Sequence, residues 1–350
     1  MTIRIAILFL TMAFTLTTAN AQSTIQPDEW TSYVHSYVTE AGRVVDTANN
    51  SISHSEGQGY GLILAVLAGD RPTFERIWSF TSTQLLVRDD GLAAWRWDPA
   101  AHPNITDINN ATDGDILIAY GLALAAEAWG EPAFRDKARS MAHTIGQTLL
   151  TTVEGMPALL PGTEGFDVNS DGTGPVLNLS YWVFEALEAF AQLDPATDWH
   201  AVAETGLDLV RRAHATSSGL PPDWIVLADK GQVQPAPGFP PEFGYNGIRI
   251  PLYMIRAGLD PALFAPFLNH ADAAIGLHKV DAASGARLEP ITEPGYRLIA
   301  AAMECVIKGT PVPEDLRTMA ATSYYAATLQ LLMLEHLRRN QPACMGEHTT

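Results

Sequence analysis

Cysteine is all but missing from this chain: Cys305 and Cys344 are the only two in 350 residues. That excludes a small scaffold stapled by several disulfides, and the spacing offers nothing like a structural zinc site. One bridge in an oxidising compartment and two separate thiols both fit the sequence. Positive charge is also scarce, with 21 Lys and Arg against 39 Asp and Glu and a formal net charge of −18. Phosphate backbones and anionic membrane surfaces are poor partners for such a chain, so nucleic acid is set aside. A neutral or a cationic partner suits the charge equally. There is no GxSxG elbow, HExxH pair, P-loop or dinucleotide fingerprint. No Pro/Gly/Ser-rich linker and no low-complexity tract divides the chain.

What is present begins with MTIRIAILFLTMAFTLTTANA: one arginine, an apolar run, then small residues at Ala19-Asn20-Ala21. This pattern predicts a secretory leader over residues 1–21, cut after Ala21, with no membrane anchor afterwards. The rest reads as a single domain, 22–342, followed by a short tail, 343–350. At 47% hydrophobic and 17% charged residues it has the composition of a globular protein. Apolar segments at helical spacing recur near 28–48, 57–69, 71–83, 114–129, 132–152, 180–193, 198–213, 246–258, 261–278, 293–307 and 317–338. Loops rich in Gly, Pro, Asn and Asp separate them. The expected fold class is all-α, and the helix–loop–helix alternation suits a ring of helical hairpins.

Chemistry concentrates in the loops. In SHSEGQGYG (53–61), Glu56 stands at the mouth of the apolar run LILAVLA, where burial would raise its pKa and keep it protonated as a general acid. The plain alternative is a first-turn carboxylate favoured by the helix dipole. The flanking glycines would let another chain or a sugar ring approach closely. In ATDGD, Thr112 reads as an N-cap, with Asp113 and Asp115 in the first helical turn. They are either capping groups or a carboxylate pair that holds substrate hydroxyls and presses on the acid. Asn109 and Asn110 add neutral groups suited to polyols. Trp95, Trp97, Tyr181, Trp182, Trp224, Phe243 and Tyr245 lie among polar loop residues, as a sugar groove requires, although core packing accounts for some of them. Arg96, Arg249 and Asp223 either position ligand oxygens or lock loops. DVNSDGTG (167–174) looks like a calcium loop but has Asn178 at the twelfth position, so a tight polar turn is expected and no metal.

ISHSEGQGYGLILAVLAGD, AWRW, NNATDGDILIAYGLALAAEAW, NLSYWVF and FGYNGIRIPLY, in that order, resemble glycoside hydrolase family 8 over nearly all of residues 27–340. The resemblance implies an (α/α)6 barrel with a substrate cleft across one end. It further implies inverting hydrolysis of internal β-1,4 bonds of a cellulose-like glucan, without cofactor or metal. It casts Glu56 as the general acid and Asp113 as the catalytic carboxylate of the −1 subsite. Substrate contacts are expected from Asp115, Trp95, Arg96, Tyr181, Tyr245, Asn246 and Arg249. The pattern departs at Asn246, where many members carry an aspartate base after the tyrosine of GYDxxR. Glu242, Asp223, Asp167 and Asp171 are therefore candidate bases. Chitosan or a mixed-linkage glucan is the rival substrate, and a glycan-binding protein without catalysis is the rival class. A monomer in the periplasm or outside the cell, working beside cellulose synthesis, is the expected setting.

Overall fold

Ten α-helices occur among the described residues, and most begin where the sequence supplies a start signal. They are α1 (Pro27–Tyr37), α2 (Ser55–Leu67), α3 (Arg71–Phe80), α4 (Thr112–Trp129), α5 (Pro132–Thr148), α6 (Phe184–Leu193), α7 (Trp199–His214), α8 (Arg249–Arg256), α9 (Pro294–Lys308) and α10 (Tyr324–Asn340). The computed structural model describes residues 23–167, 174–272 and 275–346. The leader, Asp171 and most of the suggested calcium loop lie outside the described residues. Proline occupies the first turn of α1, α3, α5 and α9, where its missing N–H costs nothing. His54, Asp70, Asp198 and Ser323 accept backbone N–H groups at the starts of α2, α3, α7 and α10.

Burial sorts the helices. α2, α4, α8 and α10 are buried on nearly every side, whereas α3, α5 and α7 bury one stripe. α2 packs on α4, α4 on α6, α6 on α8, α8 on α10, and α10 returns to α2, closing a ring. α3, α5, α7, α9 and α1 back this ring from outside, and one continuous apolar core fills it. Two glycines set the closest approach. A Cβ at Gly59 would stand 2.5 Å from the Leu117 side chain, and one at Gly114 would stand 2.0 Å from Ser55 Oγ. The glycines of SEGQGYG thus admit neighbouring packing partners, not a sugar; Gly61, for example, faces Val44 and Ile77.

Two expected helices are shorter or absent. α1 stops at Tyr37 because Gly42 takes φ +84° and Val38 and Val44 pair as extended chain. The stretch expected as a helix over 261–278 forms two 3-10 turns, Pro261–Leu263 and Ala265–His270. Strands Ala271–Asp272 and Gly276–Asp281 follow. Two prolines there supply no N–H, and Gly276 at φ +95° breaks the helical path. Strand Gly276–Asp281 pairs with Glu242–Phe243 and Arg287–Pro290, a small sheet beside the loop that carries Asn246. A disulfide joins Cys305 of α9 to Cys344, tying the chain end to the barrel.

Candidate active site

The starts of α2, α4, α8 and α10 converge on one end of the ring, where they line a cleft of about 700 Å³. Convergence follows from local sequence: each of these helices opens with polar residues and continues as an apolar run, so the polar turn faces the mouth. Glu56, Asp113, Asn246, Arg249, Trp95, Tyr181 and Tyr245 all line it.

Arg249 is the hub. Its Nη1 donates to Glu56 Oε1 at 2.9 Å and to Asp113 Oδ2 at 2.8 Å, and its Nη2 donates to Ser180 Oγ and Asn246 Oδ1, both at 2.7 Å. The guanidinium is only 2% exposed and stacks over the Tyr181 ring. Burial raises the Glu56 pKa, Arg249 opposes that rise, and Asp113 reinforces it; the net direction is upward. Glu56 Oε1 is engaged by Arg249, so a proton on this carboxyl group belongs on Oε2. Asp113 Oδ1 accepts from Gly114 N. Because Glu56 and Asp113 share one nitrogen, their bonded oxygens are closer together than those two bonds laid end to end. Arg249 thus holds the Asp113 and Glu56 carboxylates side by side.

Asp115 does not reach the cleft. It is fully buried, with Oδ1 accepting from Ala93 N and Oδ2 from Asn110 Nδ2, both at 2.8 Å, and burial pushes it up to about 7. Its place follows from helical geometry: two residues beyond Asp113 points away from the same face. Thr112 is not the N-cap either, since its hydroxyl donates to Leu160 O from inside the first turn. Asn109 and Asn110 bind the 160–165 loop and not the cleft. Arg96 pairs with Asp98 at 2.9 Å and packs over Trp95, outside the cleft lining. Trp224 stacks against Phe166 and Phe239 and does not line the cleft.

The candidate bases are placed as follows. Asp223 accepts from the backbone N–H groups of Gly244, Asn246 and Gly247 and from Asn246 Nδ2, which makes it the tie that shapes this turn. Burial outweighs those four bonds and raises its pKa. Glu242 is paired with Lys279 at 2.9 Å. Asp167 is exposed, and none of the three lines the cleft. Asn246 itself accepts from Arg249 and donates to Asp223, so its amide orientation is set by both neighbours.

Sequence reasoning missed several cleft residues: Asp46, Asn49, Glu293, Tyr296, Tyr324 and Tyr325. Ser323-Tyr324-Tyr325 was the most legible of these, a capping serine followed by paired aromatics. Tyr325 donates to Tyr245 O, and Tyr245 packs edge-on against Tyr296, forming an aromatic wall. Asp46 and Glu293 gave no signal, because the apolar spacing placed both inside expected helices, whereas the folded chain puts Asp46 beyond the end of α1 and Glu293 at the cap of α9.

Comparison with known proteins agrees with this geometry. The model of "Glycosyl hydrolases family 8" matches residues 3–289. An endoglucanase of Cellulomonas uda is 36% identical over 238 residues, 68% of this chain and 66% of that protein. A probable endoglucanase of Novacetimonas hansenii is 36% identical over 311 residues, 87% and 89% of the two chains. The solved endo-beta-1,4-glucanase CMCax from Acetobacter xylinum superposes with a TM-score of 0.80 at 32% identity. That match covers 91% of this chain and 98% of that one. The closed helical ring is thus the (α/α)6 barrel of such enzymes, and the chain belongs to family 8 of the glycosyl hydrolases.

Proposed function

We propose that this chain is an endo-β-1,4-glucanase acting on cellulose-like glucans with inversion. The observation that carries the reading is Glu56, whose Oε1 is held by Arg249 and whose Oε2 carries no hydrogen bond among the described residues, in a cleft lined by Trp95, Tyr181 and Tyr245. Held this way, the acid delivers its proton from Oε2 to the leaving glycosidic oxygen. Asp113 and Arg249 hold hydroxyls of the −1 sugar, and the aromatic rings pack on neighbouring sugars. Asn246 orients the attacking water but has no basic site for its proton, so a carboxylate takes that proton directly or through a second, relaying water. The candidates are Glu242, Asp223, Asp167 and Asp171; the first three do not line the cleft, so each of them would act by relay. Relatives named endoglucanase and a solved endo-β-1,4-glucanase at TM-score 0.80 support the glucan. Export by the opening segment, a monomeric state and work beside cellulose synthesis belong to the same reading.

Reducing-sugar release from carboxymethylcellulose, lichenan and chitosan, by the wild type beside Glu56→Gln, tests it. Activity on the two glucans that disappears in Glu56→Gln is expected. Activity on chitosan alone would replace the glucan, and oligosaccharide binding without turnover would replace the enzyme.

A further inference from the structure

Glu56 is the last of three titratable side chains in line along one wall of the cleft. Asp46 Oδ2 lies 3.4 Å from His54 Nε2, and His54 Nδ1 lies 3.8 Å from Glu56 Oε2, the oxygen that Arg249 leaves unbound. Nδ1 also accepts the Gly57 N–H at 3.0 Å as the N-cap of α2. That bond requires an unprotonated Nδ1, so the ring as placed is neutral, with its proton on Nε2 toward Asp46. We propose that Glu56 and His54 share a single proton, and that His54, steadied by Asp46, is the positioning residue that decides how far into the alkaline range the acid stays loaded. The inference rests on the reading of Glu56 as the general acid.

Two opposing pulls act on the ring. Asp46, Glu56 and Asp113 all favour an imidazolium, and together they outweigh burial, which disfavours it. The Gly57 N–H opposes them, because protonating Nδ1 breaks the cap of α2. Tyr324 packs edge-on against the ring at 5.7 Å, and Arg249 balances Glu56 and Asp113 from the far side. When the proton moves from Nδ1 to Oε2, the ring recovers its lone pair, the cap re-forms, and Glu56 becomes a neutral acid. When it moves back, Glu56 is a carboxylate and cannot protonate a leaving group. Arg249 is the sole lysine or arginine among the described residues lining the cleft, facing Asp46, Glu56, Asp113 and Glu293, so a proton held between two sites suits the local charge.

His54→Asn keeps an acceptor near Nδ1, and hence the cap, but cannot titrate. Asp46→Asn keeps both ring and cap and removes the pull toward imidazolium. In His54→Asn the proton has only Glu56 to occupy, so the plateau of kcat/KM on carboxymethylcellulose should rise about 3- to 10-fold and its alkaline limb should move to lower pH. Asp46→Asn should move both the same way, because Asp46 raises the proton affinity of Glu56 as well as that of the ring. A plateau and limb that coincide with wild type, or a limb that moves to higher pH, would overturn the proposal and leave His54 a helix cap. A readout that needs no turnover separates this failure from failure of the enzyme reading. The His54 ring proton resonance, assigned by its loss in His54→Asn, should titrate at lower pH in Glu56→Gln than in wild type. An unchanged midpoint would overturn the shared proton even if the glucanase activity is intact.

Discussion

α8 carries an arginine at each end, and the two make opposite uses of the same chemistry. Arg256, at its C-terminal end, donates to both oxygens of Glu185, to Glu335 and to the Leu332 carbonyl. A cation there also complements the helix dipole. Arg249, at the N-terminal end, opposes that dipole, finds no partner for its buried Nε among the described residues, and divides its bonds among Glu56, Asp113, Ser180 and Asn246. Glu335 is 3% exposed and Glu185 15%, whereas Glu56 is 20% exposed. In the first network every carboxylate oxygen of Glu185 and Glu335 has a partner; in the second, Glu56 Oε2 has no hydrogen bond among the described residues. A buried ion pair is thus no mark of function in itself, and what distinguishes a site is the oxygen left without a partner.

The comparison can be broken in several places. Glu56→Gln should lower kcat by about 10²–10⁴-fold while the melting temperature stays close to wild type, measured by initial rates and calorimetry. Arg256→Met strands Glu185, while Glu335 keeps Arg339, and should cost about 3–5 kcal/mol in denaturant unfolding, with kcat/KM of the folded fraction unchanged. Arg249→Met should show the reverse weighting, a larger loss of kcat/KM and a smaller loss of stability, since its carboxylates can take up water or a proton in the open cleft. Equal effects at the two ends would refute the contrast.

Smaller effects sharpen it. Cys344→Ser opens the loop back to Cys305 and should cost about 2–4 kcal/mol without altering KM. Burial pushes Asp115 up from the ordinary carboxylate range to about 7, so folding favours its protonated form. Its stabilising contribution is full below the unfolded value and is lost as pH rises toward 7 and beyond. Asp115→Asn should flatten that decline in a melting-temperature profile from pH 4 to 8, at a cost of about 1–3 kcal/mol in acid from mismatched hydrogen bonds. Glu242→Gln removes one arm of a partly exposed pair with Lys279 and should change stability by less than about 1 kcal/mol. A large fall in its kcat, restored by added azide, would instead make Glu242 the base.

Much of this was legible in the chain itself. Helical spacing and start signals locate α2 to α7 and α9 to within a few residues, because apolar periodicity and capping are local. Glu56 was legible for the same reason, as a carboxylate set before an apolar run. Asp115 was not: Asp113 and Asp115 look equivalent in ATDGD, and only the packing of α4 against the loop at Ala93 turns one to the cleft and buries the other. The stretch 261–278 was misread because its apolar spacing suits either helix or strand once two prolines and Gly276 intervene.

By itself, then, the sequence determined an acidic, helical chain with a carboxylic acid poised at a helix mouth, since these follow from composition, period and neighbours along the chain. Only the tertiary structure decided that Arg249 grips two carboxylates at once, that Asp46 lies behind His54, and that Cys305 meets Cys344. Those relations join residues far apart in the chain, whose meeting depends on how the ring closes.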